Sequence, residues 1–437
     1  MPESPTSNDS APVLAPKPAG NYRWVICALL FFATTINYVD RAVLGLVKPE
    51  LVKTLQWTET DYGNIVSWFS FAYAIGYGVA GRAMDWLGVR LGYGLAVVAW
   101  SVAAMAHGLA RTATGFSFMR GALGITEGAN FPAAVKSVSE WFPKRERAFA
   151  TGVFNSGSNI GLLVAPILVP WLMDLYGWPS AFYATGALGF FWFVAWILLY
   201  DAPERHPRVT PEELAYIQSD PPDPTAHIPW SSLLGYRQVW AFVVGMSLSS
   251  PVWWFYLFWA PDFFHKKFSI DMKDIGWPLV SVYLLADFGS IGGGWLSAWL
   301  MRKGWSVNAA RKTAMLVCAL CVVPVFAAAM VESSWVAVGL IGLAAAAHQG
   351  FSANLYTLVS DMAPRAVVSS IVGLGGMSAG FVAMGVQRLT GRVLDTYPNG
   401  YLPILCVASA AYLINLLLIH LLVPRLEPMR FEPGPAP

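Results

Sequence analysis

Apolar residues run in windows of about 20 along nearly the whole chain, each closed by a short polar stretch. Twelve such windows can be marked, at 23–47, 61–82, 91–110, 115–139, 147–174, 180–200, 237–263, 274–300, 312–331, 335–360, 367–390 and 401–422. Each is long enough for one helix to cross a bilayer. The pattern predicts an all-α membrane protein with twelve transmembrane helices. One polar break is longer than the rest: 201–236, rich in Pro, between the sixth and seventh windows. Inside it, Thr210-Pro-Glu-Glu213 places Thr at an N-cap, Pro at the first helical position and Glu at the third. That spacing predicts a short surface helix to about Gln218. The chain therefore divides into a disordered tail at 1–20, a six-helix bundle at 21–200, a linker at 201–236, a second six-helix bundle at 237–423 and a tail at 424–437. The first tail is rich in Pro, Ser and Ala and lacks the basic-then-apolar order of a signal peptide.

Composition agrees. Of 437 residues, 56% are hydrophobic and 12% charged, against about 25% charged in an ordinary soluble domain. A net charge of +2 gives nucleic acid nothing to bind. Cys27, Cys318, Cys321 and Cys406 all fall in apolar windows and read as small hydrophobes. Cys318 and Cys321 have redox-motif spacing but lie in a helical window without a partner His or Cys. No phosphate-binding Gly-rich loop and no metal-ligand spacing occurs, so neither ATP drive nor a cofactor is expected. Lys and Arg set the orientation. The side holding both tails and the linker carries 17 of them and the other side 8. The positive-inside rule then places both termini and the linker in the cytoplasm, in an inner (plasma) membrane. A monomer is expected.

A weak repeat relates the halves. Glu140-Trp-Phe-Pro143 and Gly152 recur, 221 residues on, as Asp361-Met-Ala-Pro364 and Gly373. Both copies fall between the fourth and fifth windows of their half. The same shift carries Glu127 onto His348. Two pseudo-symmetric six-helix halves suit a transporter that rocks about a central site.

Charge at membrane depth marks that site. Asp40 and Arg41 lie in the first window, Arg120 and Glu127 in the fourth. Each costs roughly 3 kcal/mol in hydrocarbon, so a chain that keeps four is using them or locking helices with them. Arg120 and Glu127 are two turns apart and share a face. An Asp40–Arg120 pair, with Arg41 left free for a carboxylate, is the economical arrangement. Glu127, with no closer cation on its own helix, is a candidate proton carrier. Tyr73 and Tyr77, beside Trp68, and the run Trp253, Trp254, Tyr256, Trp259 suit a sugar ring, or else a membrane interface. His348 and Gln349 read as hydrogen-bonding groups for substrate or as a packed polar contact. Asn155, Ser158 and Asn159 are polar on neighbouring faces of the fifth window. Asp287 is at depth in the eighth.

Gly81-Arg-Ala-Met-Asp85-Trp-Leu-Gly88-Val-Arg90, between the second and third windows, resembles the signature loop of the major facilitator superfamily. There Gly allows a tight turn, and Asp85 caps a helix or pairs with Arg90. The stretches Asn37-Tyr-Val-Asp40-Arg41, Arg120-Gly-Ala-Leu-Gly-Ile-Thr-Glu127 and Phe154-Asn-Ser-Gly-Ser158-Asn-Ile-Gly are similar to the anion:cation symporter family within it. Ala347-His-Gln349 and Gly373-Leu-x-Gly-Met-Ser378 resemble its bacterial hexuronate transporters. The resemblance implies proton-coupled import of an organic anion. Residues matching Arg41 and Arg120 would serve the anion, and those matching Asp40 and Glu127 the proton. Tyr73, Asn155, Ser158, Trp253, His348 and Gln349 complete the candidate substrate site, and Gly81, Asp85, Gly88 and Arg90 the gate. Ser158 and the Gly- and Met-rich segment 375–380 depart from relatives that carry aldonates. The sequence thus points to a symporter for a hexuronate such as galacturonate or glucuronate, not an enzyme. The rivals are another anion (an aldonate, a dicarboxylate or an aromatic acid) and a non-transporting anion sensor.

Overall fold

The computed structural model describes residues 20–219, 230–271, 274–363 and 365–429; side chains at some helical positions, Gly81 and Asp85 among them, lie outside that description, as does Pro364 of the repeat. The described residues form fourteen α-helices: α1 Tyr22–Leu55, α2 Glu59–Ala106, α3 Ala113–Glu127, α4 Asn130–Trp141, α5 Lys144–Tyr176, α6 Trp178–Leu199, α7 Pro211–Ile217, α8 Trp230–Leu233, α9 Arg237–Phe268, α10 Gly276–Arg302, α11 Val307–Val322, α12 Ser334–Met362, α13 Arg365–Thr396 and α14 Tyr401–Leu422. They make twelve passes. α2 supplies two of them, α3 and α4 together supply one, and α11 completes its pass through a 3-10 turn at Val323–Ala329. The successive passes alternate in direction, so the described ends of the chain and the linker lie on one side, the terminal side. The α1–α2 and α9–α10 turns lie on the other, the distal side.

Two breaks differ from the sequence pattern. The loop expected at 81–90 shrinks to one residue. Helical backbone runs through α2 except at Gly88, whose φ of 73° and ψ of 156° reverse the chain. A Cβ there would meet no atom within 4 Å, so the demand on glycine is purely conformational. The fourth window, expected as one helix, breaks at Gly128–Ala129. Pro132 has no N–H to give the Gly128 carbonyl, which interrupts the ladder. Glu127 thus ends α3 at the middle of the bundle.

Among the described residues, ten segments are long and apolar enough to cross a membrane. The first limb of α2 and the α3–α4 pair are the two passes that are not. Their buried polar residues, among them Glu59, Ser67 and Ser70 of α2 and Arg120, Glu127 and Ser137 of α3–α4, face protein. In lipid, helices gain little from hydrophobic burial and associate by close packing of small residues. A Cβ on Gly63 of α2 would lie 2.6 Å from the Gln387 carbonyl of α13, and one on Gly293 of α10 would lie 2.3 Å from Gly350 of α12. The outer faces are apolar and exposed, as in the α10 stripe Leu284, Phe288, Ile291, Trp295.

The linker helix α7 starts as the sequence pattern suggests, with the Thr210 hydroxyl accepting from the Glu213 N–H. Arg23, buried at the start of α1, pairs with Glu213 at 3.2 Å and with Glu146 of α5 at 2.9 Å. This ion cluster ties the linker to the first half.

Candidate functional site

The middle of α1 presents Asn37, Asp40 and Arg41 to the interior of the first half. Arg41 is 3% exposed, Asp40 2%, and Arg120 and Glu127 0%. Arg41 Nε donates to Glu127 Oε2 at 3.1 Å and its Nη2 to Asn37 Oδ1 at 3.0 Å. Three rings wrap its guanidinium: Tyr38 at 4.7 Å, Tyr73 at 4.8 Å and Phe69 at 5.2 Å. Arg120 Nη2 donates to the Arg41 carbonyl at 2.9 Å, and its guanidinium sits over Phe69 and Phe258.

The expected Asp40–Arg120 pair, with Arg41 free, is therefore not what forms. Arg41 pairs with Glu127, and Arg120 spends one N–H on a backbone oxygen. Helix geometry explains this. Adjacent residues point about 100° apart, so Arg41 faces α2 and α3 while Asp40 turns to α6, beside Thr185. The Asp40 oxygens and Thr185 Oγ1 adjoin without a well-formed hydrogen bond, and Glu127 Oε1, Arg120 Nε and Nη1, and Asn37 Nδ2 have no partner among the described residues. Each buried orphan costs roughly 1–3 kcal/mol. A lock between helices would satisfy these groups. Here they form a set of open donors and acceptors around one ion pair.

The second half contributes a different chemistry. His348 of α12 stacks on Trp253 of α9, centroids 5.1 Å apart and planes 9° apart. Its Nδ1 lies 2.6 Å from the Tyr412 hydroxyl of α14. Gln349 is half-buried beside it. Tyr73 joins the halves: it meets Trp254, the neighbour of Trp253, edge-on at 5.5 Å. A cationic cradle in one half thus connects through two successive tryptophans to a neutral polar group in the other. Asn155 is exposed on α5, but the Ser158 hydroxyl donates to the Asn155 carbonyl at 2.6 Å and is spent on its own helix. Asp287 is half-buried with Oδ1 unpartnered. At the tight bend of α2, Arg90 contacts Asp201 at 2.7 Å and the Ile197 carbonyl at 2.9 Å, both at the end of the first half; the expected Asp85 partner lies outside the described side chains.

A second ionic cluster, not foreseen from the sequence, closes the distal side. Lys48 of α1 contacts Glu59 of α2 at 2.5 Å and Asp262 of α9 at 2.8 Å. Lys266 contacts both acids, and Tyr401 of α14 donates to Asp262. The Lys48 ammonium lies over Tyr62 and Trp259, and Trp259 Nε1 donates to Gln387 Oε1 at 2.6 Å. Asp395 of α13 accepts from the N–H groups of Glu59 and Thr60 at 2.8 and 2.7 Å, capping α2 from the opposite half. These charges sit at window ends, where Lys and Asp pass for interfacial residues. The one sequence signal was Asp262 and Lys266 at i, i+4. A crevice of about 260 Å³ between α9, α13 and α14 is lined by groups such as Pro251, Phe255, Leu389 and Val407, with no charged residue. It offers an anion nothing.

The profile of the Major Facilitator Superfamily matches residues 30–387. The "Hexuronate transporter" of Escherichia coli (strain K12) is 33% identical over 404 residues, 91% of this chain and 93% of that one. The "Galacturonate transporter" of Dickeya chrysanthemi is 33% identical over 292 residues, 65% of this chain and 84% of that one. The xylose transporter of E. coli in an inward open conformation superposes with a TM-score of 0.71 at 13% identity, covering 92% of this chain and 97% of that one.

Proposed function

The chain belongs to the Major Facilitator Superfamily, and we propose that this protein is a proton-coupled importer of a sugar-acid anion, a hexuronate such as galacturonate or glucuronate. It works by alternating access in an inner membrane, with both termini cytoplasmic. The likeness to transporters of hexuronate and galacturonate supports the substrate class. The observation that carries the mechanism is the buried Arg41–Glu127 contact with its unsatisfied surroundings.

Arg41 holds one carboxylate and can hold only so many. A substrate carboxylate that takes the guanidinium fork, helped by the open Nε and Nη1 of Arg120, displaces Glu127. Glu127 is then a buried charge without its cation, and it relieves that by taking a proton. Anion and proton therefore load together. Asp40, buried on the other flank of α1, is the second acceptor on the same route. Tyr73 and Trp253 flank the ring, with His348, Gln349 and Asn155 for its hydroxyls. Release on the terminal side restores Arg41–Glu127 and resets the carrier.

The test is external pH in de-energised cells on adding galacturonate or glucuronate. Alkalinisation that is lost in Glu127→Gln supports symport. Uptake of either acid without any proton movement overturns the coupling. A pH signal from another anion, with none from the two hexuronates, overturns the substrate and keeps the mechanism.

A further inference from the structure

His348 sits in a setting that fixes more than its position. Its Nδ1 lies 2.6 Å from the Tyr412 hydroxyl, and that hydroxyl lies 3.4 Å from the Ser249 carbonyl. Tyrosine has one proton to give. A carbonyl can only accept, so two arrangements compete. In one, Tyr412 donates to Nδ1. In the other, Nδ1–H donates to Tyr412, which then spends its proton on Ser249. The second places the phenol proton in a contact at the edge of hydrogen-bonding range, and the first in a short one. The first prevails.

If Nδ1 accepts, the neutral imidazole carries its proton on Nε2. That N–H has little to do within the protein. Among the described residues its hydrogen-bonding neighbour is Ser352 Oγ, a turn away on the same helix at 3.4 Å. The ring is held flat by the Trp253 stack, and Trp253 in turn meets Tyr283 edge-on at 6.3 Å. The N–H is therefore fixed in direction and underused, and it lies on the stack with Trp253, whose chain neighbour Trp254 meets Tyr73.

We infer that Tyr412 is a positioning residue: it holds His348 as the tautomer that offers an Nε2–H donor to a hydroxyl or ring oxygen of the substrate. This rests on the sugar-acid reading for its ligand but not for its chemistry. Sugar oxygens accept from such a donor, while the carboxylate goes to Arg41. Sequence gave no pointer to Tyr412, a tyrosine inside an apolar window 64 residues from its partner.

Two measurements test the inference, one of them free of substrate. Protein labelled with ¹⁵N-histidine at about pH 8, where histidines are neutral, is compared with His348→Gln to pick out the His348 resonances. The expected signature is a protonated Nε2 and an unprotonated Nδ1, shifting toward a mixture of tautomers in Tyr412→Phe. A protonated Nδ1 in the unaltered protein overturns the inference, whatever is transported. The second measurement is hexuronate uptake in a double-mutant cycle. Tyr412→Phe raises KM roughly fivefold to tenfold with the maximal rate unchanged. His348→Gln puts an amide N–H close to the Nε2 position and has no tautomer to fix, so adding Tyr412→Phe to it should leave KM as it was. An equal KM increase in both backgrounds makes Tyr412 a packing residue and overturns the inference. Absence of hexuronate uptake by the unaltered protein counts against the substrate reading, and the tautomer is then decided by the resonances.

Discussion

The central and distal ionic clusters have similar ingredients and opposite bookkeeping of hydrogen bonds. Both set two cations and two acids near aromatic rings, all of them buried except the distal Lys266, which reaches solvent. In the distal cluster, Lys48, Glu59, Asp262 and Lys266 all contact a partner of opposite sign, and Tyr401 adds a donor. In the central cluster, one ion pair is made and donor and acceptor atoms on Asp40, Glu127 and Arg120 stay open. The distal cluster draws on α1, α2, α9 and α14, so it spans the halves. The central charges all come from α1 and α3, within one half. Removing a member of a satisfied buried set strands a charge, whereas the unsatisfied set already carries stranded atoms. The difference separates a joint, which must close, from a site, which must receive.

The largest expected effect breaks the site and spares the joint. Arg41→Ala should cut uptake roughly a hundredfold or more, in the range found when one partner of a buried charge pair is lost. The protein should still purify as a folded species, because the freed Glu127 can become neutral by taking a proton. Uptake near the unaltered rate from folded Arg41→Ala would remove the central cluster from the transport path.

Next comes the joint. Lys48→Ala leaves Glu59 and Asp262 sharing Lys266 alone and should destabilise by about 3 kcal/mol, read as a lower melting temperature. The triple replacement Lys48→Met, Glu59→Gln, Asp262→Asn should recover most of that loss, since the one charge it leaves, on Lys266, reaches solvent. A neutralised centre should show the reverse, keeping stability and losing transport. If the neutralised distal cluster also abolished transport at full stability, the division into joint and site would fail.

Much of this was legible in the sequence, and the misses share a cause. The twelve windows, the long polar break and the cap at Thr210 give the architecture because membrane crossing is a question of length and polarity. Arg41, Arg120 and Glu127 stand out because charge at depth is rare. Pairing is another matter. Asp40 and Arg41 are neighbours in sequence, and only the helix position relative to α3 and α6 decides which of them meets Glu127. The distal charges hid in plain view, since Lys48 and Asp262 at window ends look like ordinary boundary residues until the turn of α2 and the end of α13 close over them. Gly88 was named as part of the bend, but nothing in the spacing said that it would form the whole of it. The break after Glu127 could have been read from Pro132, four residues beyond Gly128.

The smallest expected effect is also the sharpest check on the separation. Asp395 accepts from two N–H groups at the start of α2, across the boundary between halves. The chain already has a local cap there: Thr58 accepts from the Asp61 N–H, and Asp61 accepts in return. Asp395→Asn keeps one acceptor oxygen and loses the charge that favours a helix N-terminus. The cost should be about 1 kcal/mol or less, a smaller drop in melting temperature than for Lys48→Ala. Asp395 touches neither Arg41 nor the Trp253–His348 stack, so a pure joint predicts an unchanged KM and only a change in the rate at which the halves part. A raised KM in Asp395→Asn would mean that closing the distal side shapes the central site directly, and the two clusters would then have to be treated as one.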